Sequence, residues 1–280
     1  MLRMLAFTET PPITTASMSK HIPRRRFGQH FLTDQAVIAD IVAAIRPQAE
    51  DAMVEIGPGL EALTAPLAAV LRHLHVIEID RDIVARLQRA YPPTRLTVHG
   101  GDVLEFDFSV LPRALRVVGN LPYNISTPLL FHLARYAERI LDMHFMLQKE
   151  VVERMVAPPG GGDYGRLSVM LQYRFDMELL LEVPPDAFSP PPQVDSAVVR
   201  LRPRPQAQLT AASEAGLAQV VRRAFAQRRK TLRNSLAGLL EAGDYAALGI
   251  APGLRAENLA VADFVAISNY LAKIQKSTAD

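Results

Sequence analysis

The chain has 280 residues, 49% hydrophobic and 21% charged, with a formal net charge of +2 and a pI near 9.0. That length holds one sizeable domain and a smaller one, and so small a net charge makes its distribution the informative feature. Cysteine is absent, which excludes disulfides and thiolate metal sites and fits a reducing compartment. No apolar run approaches the ~18 residues of a membrane helix.

Residues 1–20 lack a sustained apolar core and carry Glu9, Pro11 and Pro12. They read as a disordered tail and not as a signal peptide, with Met18 as a second candidate start. Arg24, Arg25 and Arg26 precede Phe27-Gly28-Gln29-His30-Phe31-Leu32. Three adjacent arginines suit either a solvated surface or phosphate contact. Asp34 reads as an N-cap for a helix over Ala36–Ile45, where Val37, Ile38, Ile41, Val42 and Ile45 have helical spacing.

A strand is expected at Met53–Ile56, then the turn Gly57-Pro58-Gly59-Leu60-Glu61-Ala62 and a helix over Leu63–Leu71. Strand, glycine turn and helix open a doubly wound nucleotide-binding fold. The next strand, Leu74–Ile79, carries Glu78, 21 residues after Gly57, where an acid is suited to ribose hydroxyls. A helix over Ile83–Ala90 and a strand over Arg95–His99 lead to Asp102, either an acceptor for an adenine amino group or a turn cap. Strand Leu115–Val118 delivers Gly119-Asn120-Leu121-Pro122-Tyr123. Four successive strands thus end in Gly57, Glu78, Asp102 and Asn120. Ligands of open α/β sheets bind along that edge.

The Asn120 segment suits an exocyclic amine. The Asn120 side-chain oxygen and the Leu121 carbonyl can both accept from an –NH2 group while Tyr123 offers a flat ring. Helices follow at Pro128–Tyr136, capped by Ser126 or Thr127, and at Lys149–Met155, with a fifth strand at Met143–Leu147 between them. Ala157–Arg166 reads as a flexible loop and Leu167–Phe175 as a helix. Strands Met177–Val183 and Ser196–Arg202 enclose Phe188-Ser189-Pro190-Pro191-Pro192. The prolines stiffen that segment, so Phe188 is a candidate second aromatic face opposite Tyr123.

Arg202-Pro203-Arg204-Pro205 reads as a domain junction. Between Leu217 and Leu240 lie six basic residues and no acid. On one helical wheel, Leu217, Val221, Phe225, Leu232, Leu236 and Leu239 share a face. Arg222, Arg223, Arg229, Lys230 and Arg233 form the flank, and Arg228 falls on the apolar side. An acid-free basic flank points toward RNA phosphates. Residues 244–276 read as a small helical cap.

Together these motifs resemble the ribosomal RNA adenine N6-dimethyltransferase family, most closely its bacterial small-subunit branch, over about residues 20–275. The resemblance rests on Phe27–Leu32, Glu55-Ile56-Gly57-Pro58-Gly59, Glu78-Ile79-Asp80, Gly101-Asp102, Asn120-Leu121-Pro122-Tyr123, Phe188–Ser196 and Arg228–Asn234. It implies an α/β fold: a Rossmann-like class I methyltransferase with a seven-stranded sheet over residues 21–204 and a helical RNA-binding domain over 205–280. It implies S-adenosylmethionine as cofactor. His30 and Leu32 would lie at its methionine end, Gly57 at its backbone side, Glu78 at the ribose, Asp102 at the adenine and Asn120 near the transferred methyl. Asn120, Leu121, Tyr123 and Phe188 would hold the target base. The arginines at 24–26 and the basic flank would contact RNA, and no metal is implied. The implied partner is small-subunit rRNA in an immature subunit, with two adjacent adenines near its 3′ end dimethylated by a cytoplasmic monomer.

Two positions depart from the family pattern: His30 stands in place of asparagine, and Glu61 in place of a third glycine. Three other readings stay open on sequence: a nicotinamide-dependent oxidoreductase, a non-catalytic RNA-binding assembly factor on the same fold, and a large-subunit rRNA methyltransferase of the antibiotic-resistance branch.

Overall fold

The computed structural model of the protein describes residues 30–122 and 125–277. Arg24, Arg25, Arg26, Phe27, Gly28, Gln29 and Tyr123 lie outside the described residues. Described first is β1 (Phe31–Leu32), then α1 (Gln35–Ile45). The Asp34 carboxylate starts α1 by accepting from the Ala36 and Val37 N–H groups at 2.8 and 3.1 Å. Next come β2 (Met53–Ile56), α2 (Thr64–Val70), β3 (Leu74–Glu78), α3 (Arg81–Ala90) and β4 (Leu96–Gly100). After these lie β5 (Leu115–Asn120), α4 (Ser126–Ala134), β6 (Ile140–Gln148), α5 (Lys149–Val156) and α6 (Arg166–Arg174). The sheet elements end with β7 (Phe175–Val183), β8 (Phe188–Ser189) and β9 (Ser196–Pro203).

The seven-stranded sheet has the order β4-β3-β2-β5-β6-β9-β7. Its first five strands are parallel, and β9 runs antiparallel between β6 and β7. Alternate side chains feed two cores on opposite faces. Val54, Ile56 and Val117 enter one, while Met53 and Val118 enter the other. This is the expected result when helices cover both faces of a parallel sheet. At the amino edge, Arg116 on β5 is buried. It donates to both carboxylate oxygens of Asp142 at 2.9 Å, to Asp51 at 2.6 Å and to the Ile45 carbonyl at 2.6 Å. That network ties α1, β5 and β6 together away from the carboxyl edge.

A separate two-stranded sheet joins β1 to β8, with Phe31 opposite Ser189 and Leu32 opposite Phe188. The Ala187 carbonyl accepts from the Thr33 and Asp34 N–H groups at 2.9 and 3.2 Å. Sequence periodicity marks neither strand, because two residues hold no period.

The C-terminal region differs from the expected continuous helix. It forms α7 (Glu214–Ala224), α8 (Leu232–Ser235), α9 (Ala242–Leu248) and α10 (Val261–Ser277). The chain leaves the helix at Phe225 and re-enters at Leu232, whose N–H donates to the Leu254 carbonyl at 2.7 Å. Leu217, Val221, Leu232 and Leu236 still share one core. The break lifts Arg228 off the apolar face. Its guanidinium donates to the Gly162 carbonyl and lies 4.0 Å from Glu257.

The 157–165 segment is not the loose loop its glycines suggest. Ala157 and Tyr164 are buried in the C-terminal core, together with Val169 and Tyr173 of α6. Smaller differences are that α4 starts at Ser126 with Ile125 as its cap residue, and that Phe175 opens β7 instead of closing a helix. No helix among the described residues is long and apolar enough to cross a membrane.

Candidate active site

The carboxyl ends of β2, β3, β4 and β5 surround a cavity of about 350 Å³. The sheet order reverses between β2 and β5, and clefts form at such a switch point. Gly57 and Gly59 line the cavity with φ of +68° and +53°, backbone that disfavours side chains. The Gly57 N–H donates to the Ile77 carbonyl at 3.0 Å, which holds the turn against β3.

Glu78 lines the cavity at the end of β3 and is buried. One carboxylate oxygen accepts from the Asp80 N–H at 2.8 Å. Burial raises its pKa, against the lowering effect of backbone donors at Asp80, Ile79 and Gly59. Asp102 is the turn cap weighed for it: its carboxylate accepts from the Leu104 N–H at 2.9 Å, and the residue also faces the site. Ile79, 51% exposed, and buried Val103 also line the cavity, each next in sequence to one of these acids. They give this end of the cavity two apolar walls that a flat heterocycle can occupy.

His30, Leu32 and Phe188 line the cavity from the β1–β8 sheet side. His30 Nδ1 lies 2.8 Å from the Pro190 carbonyl. Phe188 is packed in the same core as Leu32 and Val183 and is only 4% exposed. Asn120 donates its amide N–H to the His30 carbonyl at 3.4 Å, and its side-chain oxygen has no partner among the described residues. The Leu121 N–H donates to the Met146 carbonyl at 3.1 Å, which fixes the start of this loop to β6.

Two acids carry more than the sequence suggested. Glu61, the replacement for a third glycine, has φ +72°, the left-handed backbone that glycine favours. Its carboxylate pairs with Arg86 at 3.1 Å and accepts from the Tyr91 hydroxyl at 2.9 Å. Arg86 also donates to the Gly59 carbonyl at 2.7 Å, so one guanidinium braces the whole turn. Glu55 on β2 was expected only as part of a strand motif. It lines the cavity from beneath, 2% exposed, and accepts from the Thr64 hydroxyl at 2.7 Å. Nothing local in the sequence separates it from a strand-edge acid.

Arg222, Arg223, Arg229, Lys230 and Arg233 are all exposed. Arg223 donates to the Ala237 carbonyl at 3.0 Å. The other four make no ion pair among the described residues, and none of the five lines the cavity.

Residues 20–273 match the family model described as ribosomal RNA adenine dimethylase. The chain belongs to that family. It is 65% identical to the "Ribosomal RNA small subunit methyltransferase A" of Chromobacterium violaceum, over 91% of its own length and 97% of the relative's. It is likewise 65% identical to the protein of that name from Thiobacillus denitrificans, covering 90% and 99%. Among solved structures, a dimethyladenosine transferase from Plasmodium falciparum superposes with a TM-score of 0.75 at 24% identity, covering 89% of this chain and 98% of that one. The 23S rRNA methyltransferase ErmE superposes with a TM-score of 0.68 at 26% identity, covering 86% and 99%.

The residues present fit S-adenosylmethionine, the methyl donor of this methyltransferase. The cavity carries three acids and an open glycine turn, with apolar walls at one end, which suits a ligand that is cationic at one end and aromatic at the other.

Proposed function

We propose that this enzyme transfers methyl groups from S-adenosylmethionine to N6 of two adjacent adenines in a hairpin loop near the 3′ end of small-subunit rRNA, giving N6,N6-dimethyladenosines. The observation that carries the reading is one cavity, in a member of this family, bordered by Gly57, Glu78, Asp102, Asn120 and Leu121 together.

In this reading Glu78 accepts from the ribose hydroxyls and Asp102 from the adenine amino group of the cofactor. His30 and Leu32 flank its methionine end, and Gly57 lets it lie against the backbone. When bound, the cofactor supplies a methyl group already activated on a sulfonium sulfur.

The target N6 is a weak nucleophile, because its lone pair is delocalised into the ring. The Asn120 side-chain oxygen and the Leu121 carbonyl accept its two hydrogens and turn the lone pair toward the methyl. The His30 carbonyl holds the Asn120 amide in the orientation this requires. Tyr123 and Phe188 stack on the base. Positioning supplies most of the acceleration, and no strong base is needed, since the cationic product amine loses its proton readily.

Residues 21–204 form the methyltransferase domain in this reading, and 205–280 the RNA-binding domain. Arg24, Arg25, Arg26 and the cations at 222, 223, 229, 230 and 233 contact phosphates. The enzyme acts as a cytoplasmic monomer on the immature small subunit.

The test is labelled methyl transfer to unmethylated small subunits, followed by nucleoside analysis. N6,N6-Dimethyladenosine is expected, and Asn120→Ala should lower kcat by about 100-fold or more with cofactor affinity kept. Full turnover in that variant would refute the mechanism. Cofactor binding without methyl transfer would turn the reading to an assembly factor, and label only in large-subunit RNA to the resistance branch.

A further inference from the structure

Glu55 is the one acid in the cavity wall that the proposed chemistry leaves without a task. It sits on the central strand β2, between Val76 of β3 and Val118 of β5. Its carboxylate receives one hydrogen bond, from Thr64 of α2, and no cation pairs with it among the described residues. The charged groups that act on it are both acids. Glu61 lies in the glycine turn and pairs with Arg86 of α3; Glu78 ends β3. His30 and Asp102 line the remaining cavity. A carboxylate so enclosed, without a counter-cation, is costly to ionise.

We propose that Glu55 is a proton-loaded counter-charge: neutral in the empty cavity, it ionises when a cationic ligand group enters, so cofactor binding expels a proton. This rests on the cofactor reading above. Burial is the main cause that lifts the Glu55 pKa to about 8, helped by Glu61 and Glu78 and opposed by the Thr64 hydrogen bond. The carboxyl group is therefore protonated at neutral pH, and a positive charge in the cavity pulls its pKa back down. The step is a simple dissociation, with the proton passing to solvent and the carboxylate staying as partner of the ligand's cation. S-Adenosylmethionine offers two such cations, its sulfonium and its ammonium, and either serves.

The arrangement has a functional consequence. An empty cavity avoids a bare buried charge, while a filled one gains a full ion pair. Affinity for a cationic ligand should weaken toward acid, by up to about tenfold per pH unit below 8.

The experiment is calorimetry at pH 6.5, where the ligand's own amino group is protonated, in buffers of different ionisation heat. S-Adenosylmethionine should release close to one proton from the wild type and much less from Glu55→Gln, which keeps an acceptor for Thr64. 5′-Methylthioadenosine keeps the adenine and ribose but carries neither cation; its binding should release none, which separates Glu55 from Glu78. S-Adenosylhomocysteine keeps only the ammonium. Release with it supports the ammonium as the trigger, and no release supports the sulfonium. Wild-type binding of S-adenosylmethionine without proton release, or equal release from Glu55→Gln, overturns the proposal and leaves the cofactor reading intact. Absence of any binding would instead overturn that reading.

Discussion

Gly119 tests how the cavity is held open. A methyl group built on it would lie 2.6 Å from the Ile56 carbonyl oxygen and 3.1 Å from a methyl carbon of Leu121. The first contact is the severe one, because Ile56 is backbone of β2, paired with Ile77 of β3, and cannot rotate away. Gly119→Ala must therefore push β2 and β5 apart at their carboxyl ends. Overpacking of this kind costs about 1–3 kcal/mol. For a chain of this size that lowers Tm by roughly 2–12 °C. The separation also falls one residue before Gly57 and Asn120, so kcat/KM should drop by about 10–100-fold. Gly100→Ala, at the end of β4, is the control. There an added methyl meets only Val84 at 3.7 Å, an ordinary contact. Thermal melts, cofactor titration and methyl transfer on both variants read the difference. Gly119→Ala melting within about 1 °C of wild type with unchanged cofactor affinity would refute the reasoning, as would equal losses in both variants.

Two further outcomes follow from charges elsewhere. His144 on β6 is buried, and burial is the main cause that lowers its pKa to about 4, with Asp142 opposing and Arg116, Arg200 and Arg202 assisting. The unfolded chain then binds a proton that the folded chain refuses, so its contribution is full above about pH 6.5 and is lost as pH falls toward 4, by ~3 kcal/mol in all. Denaturant unfolding of wild type and His144→Leu at pH 7 and 4.5 should diverge by about that amount, and parallel curves would contradict it. For the basic surface, alanine at Arg229, Lys230 and Arg233 together should reduce the salt slope of RNA affinity by about 2–3. Cofactor affinity should stay unchanged, since none of the three lines the cavity; an unchanged slope would remove these residues from the RNA contact.

The sheet was legible where physics is local. Short apolar runs closed by glycine mark β2, β4 and β5, strand-end acids mark β3, and these run ends face the cavity for topological reasons that hold across α/β sheets. Where pairing is distant, the sequence is silent. Leu32 and Phe188 are neighbours across 156 residues of chain, and their strands are too short to carry a period. The strand expected over Met143–Leu147 runs over Ile140–Gln148 and so includes Asp142. That acid lies inside β6 because Arg116 on the neighbouring strand satisfies it. The C-terminal wheel misled for a numerical reason. Phe225 and Leu232 are seven residues apart, almost two full helical turns, so the apolar phase survives the break between them. Glu55 escaped notice because alternation predicts an acid's direction on a strand, not the depth at which the neighbouring strands and α2 enclose it.

The site's coherence comes from the small β1–β8 sheet as much as from the large one. The large sheet places Gly57, Glu78, Asp102 and Asn120 along one edge, but it leaves the opposite wall of the cavity unbuilt. That wall is β1, and β1 is held by β8, which carries Phe188. His30 and Leu32, proposed for the cofactor, and Phe188, proposed for the base, therefore belong to one hydrogen-bonded unit. The Asn120 amide, on the large sheet, bonds to the His30 carbonyl on the small one. A shift of β1 would thus move His30, Leu32, Phe188 and the Asn120 side chain together. Methyl transfer requires donor and acceptor atoms to be aligned within a fraction of an ångström. Coupling both sides of the reaction through one clasp meets that demand more simply than holding each side with its own contacts.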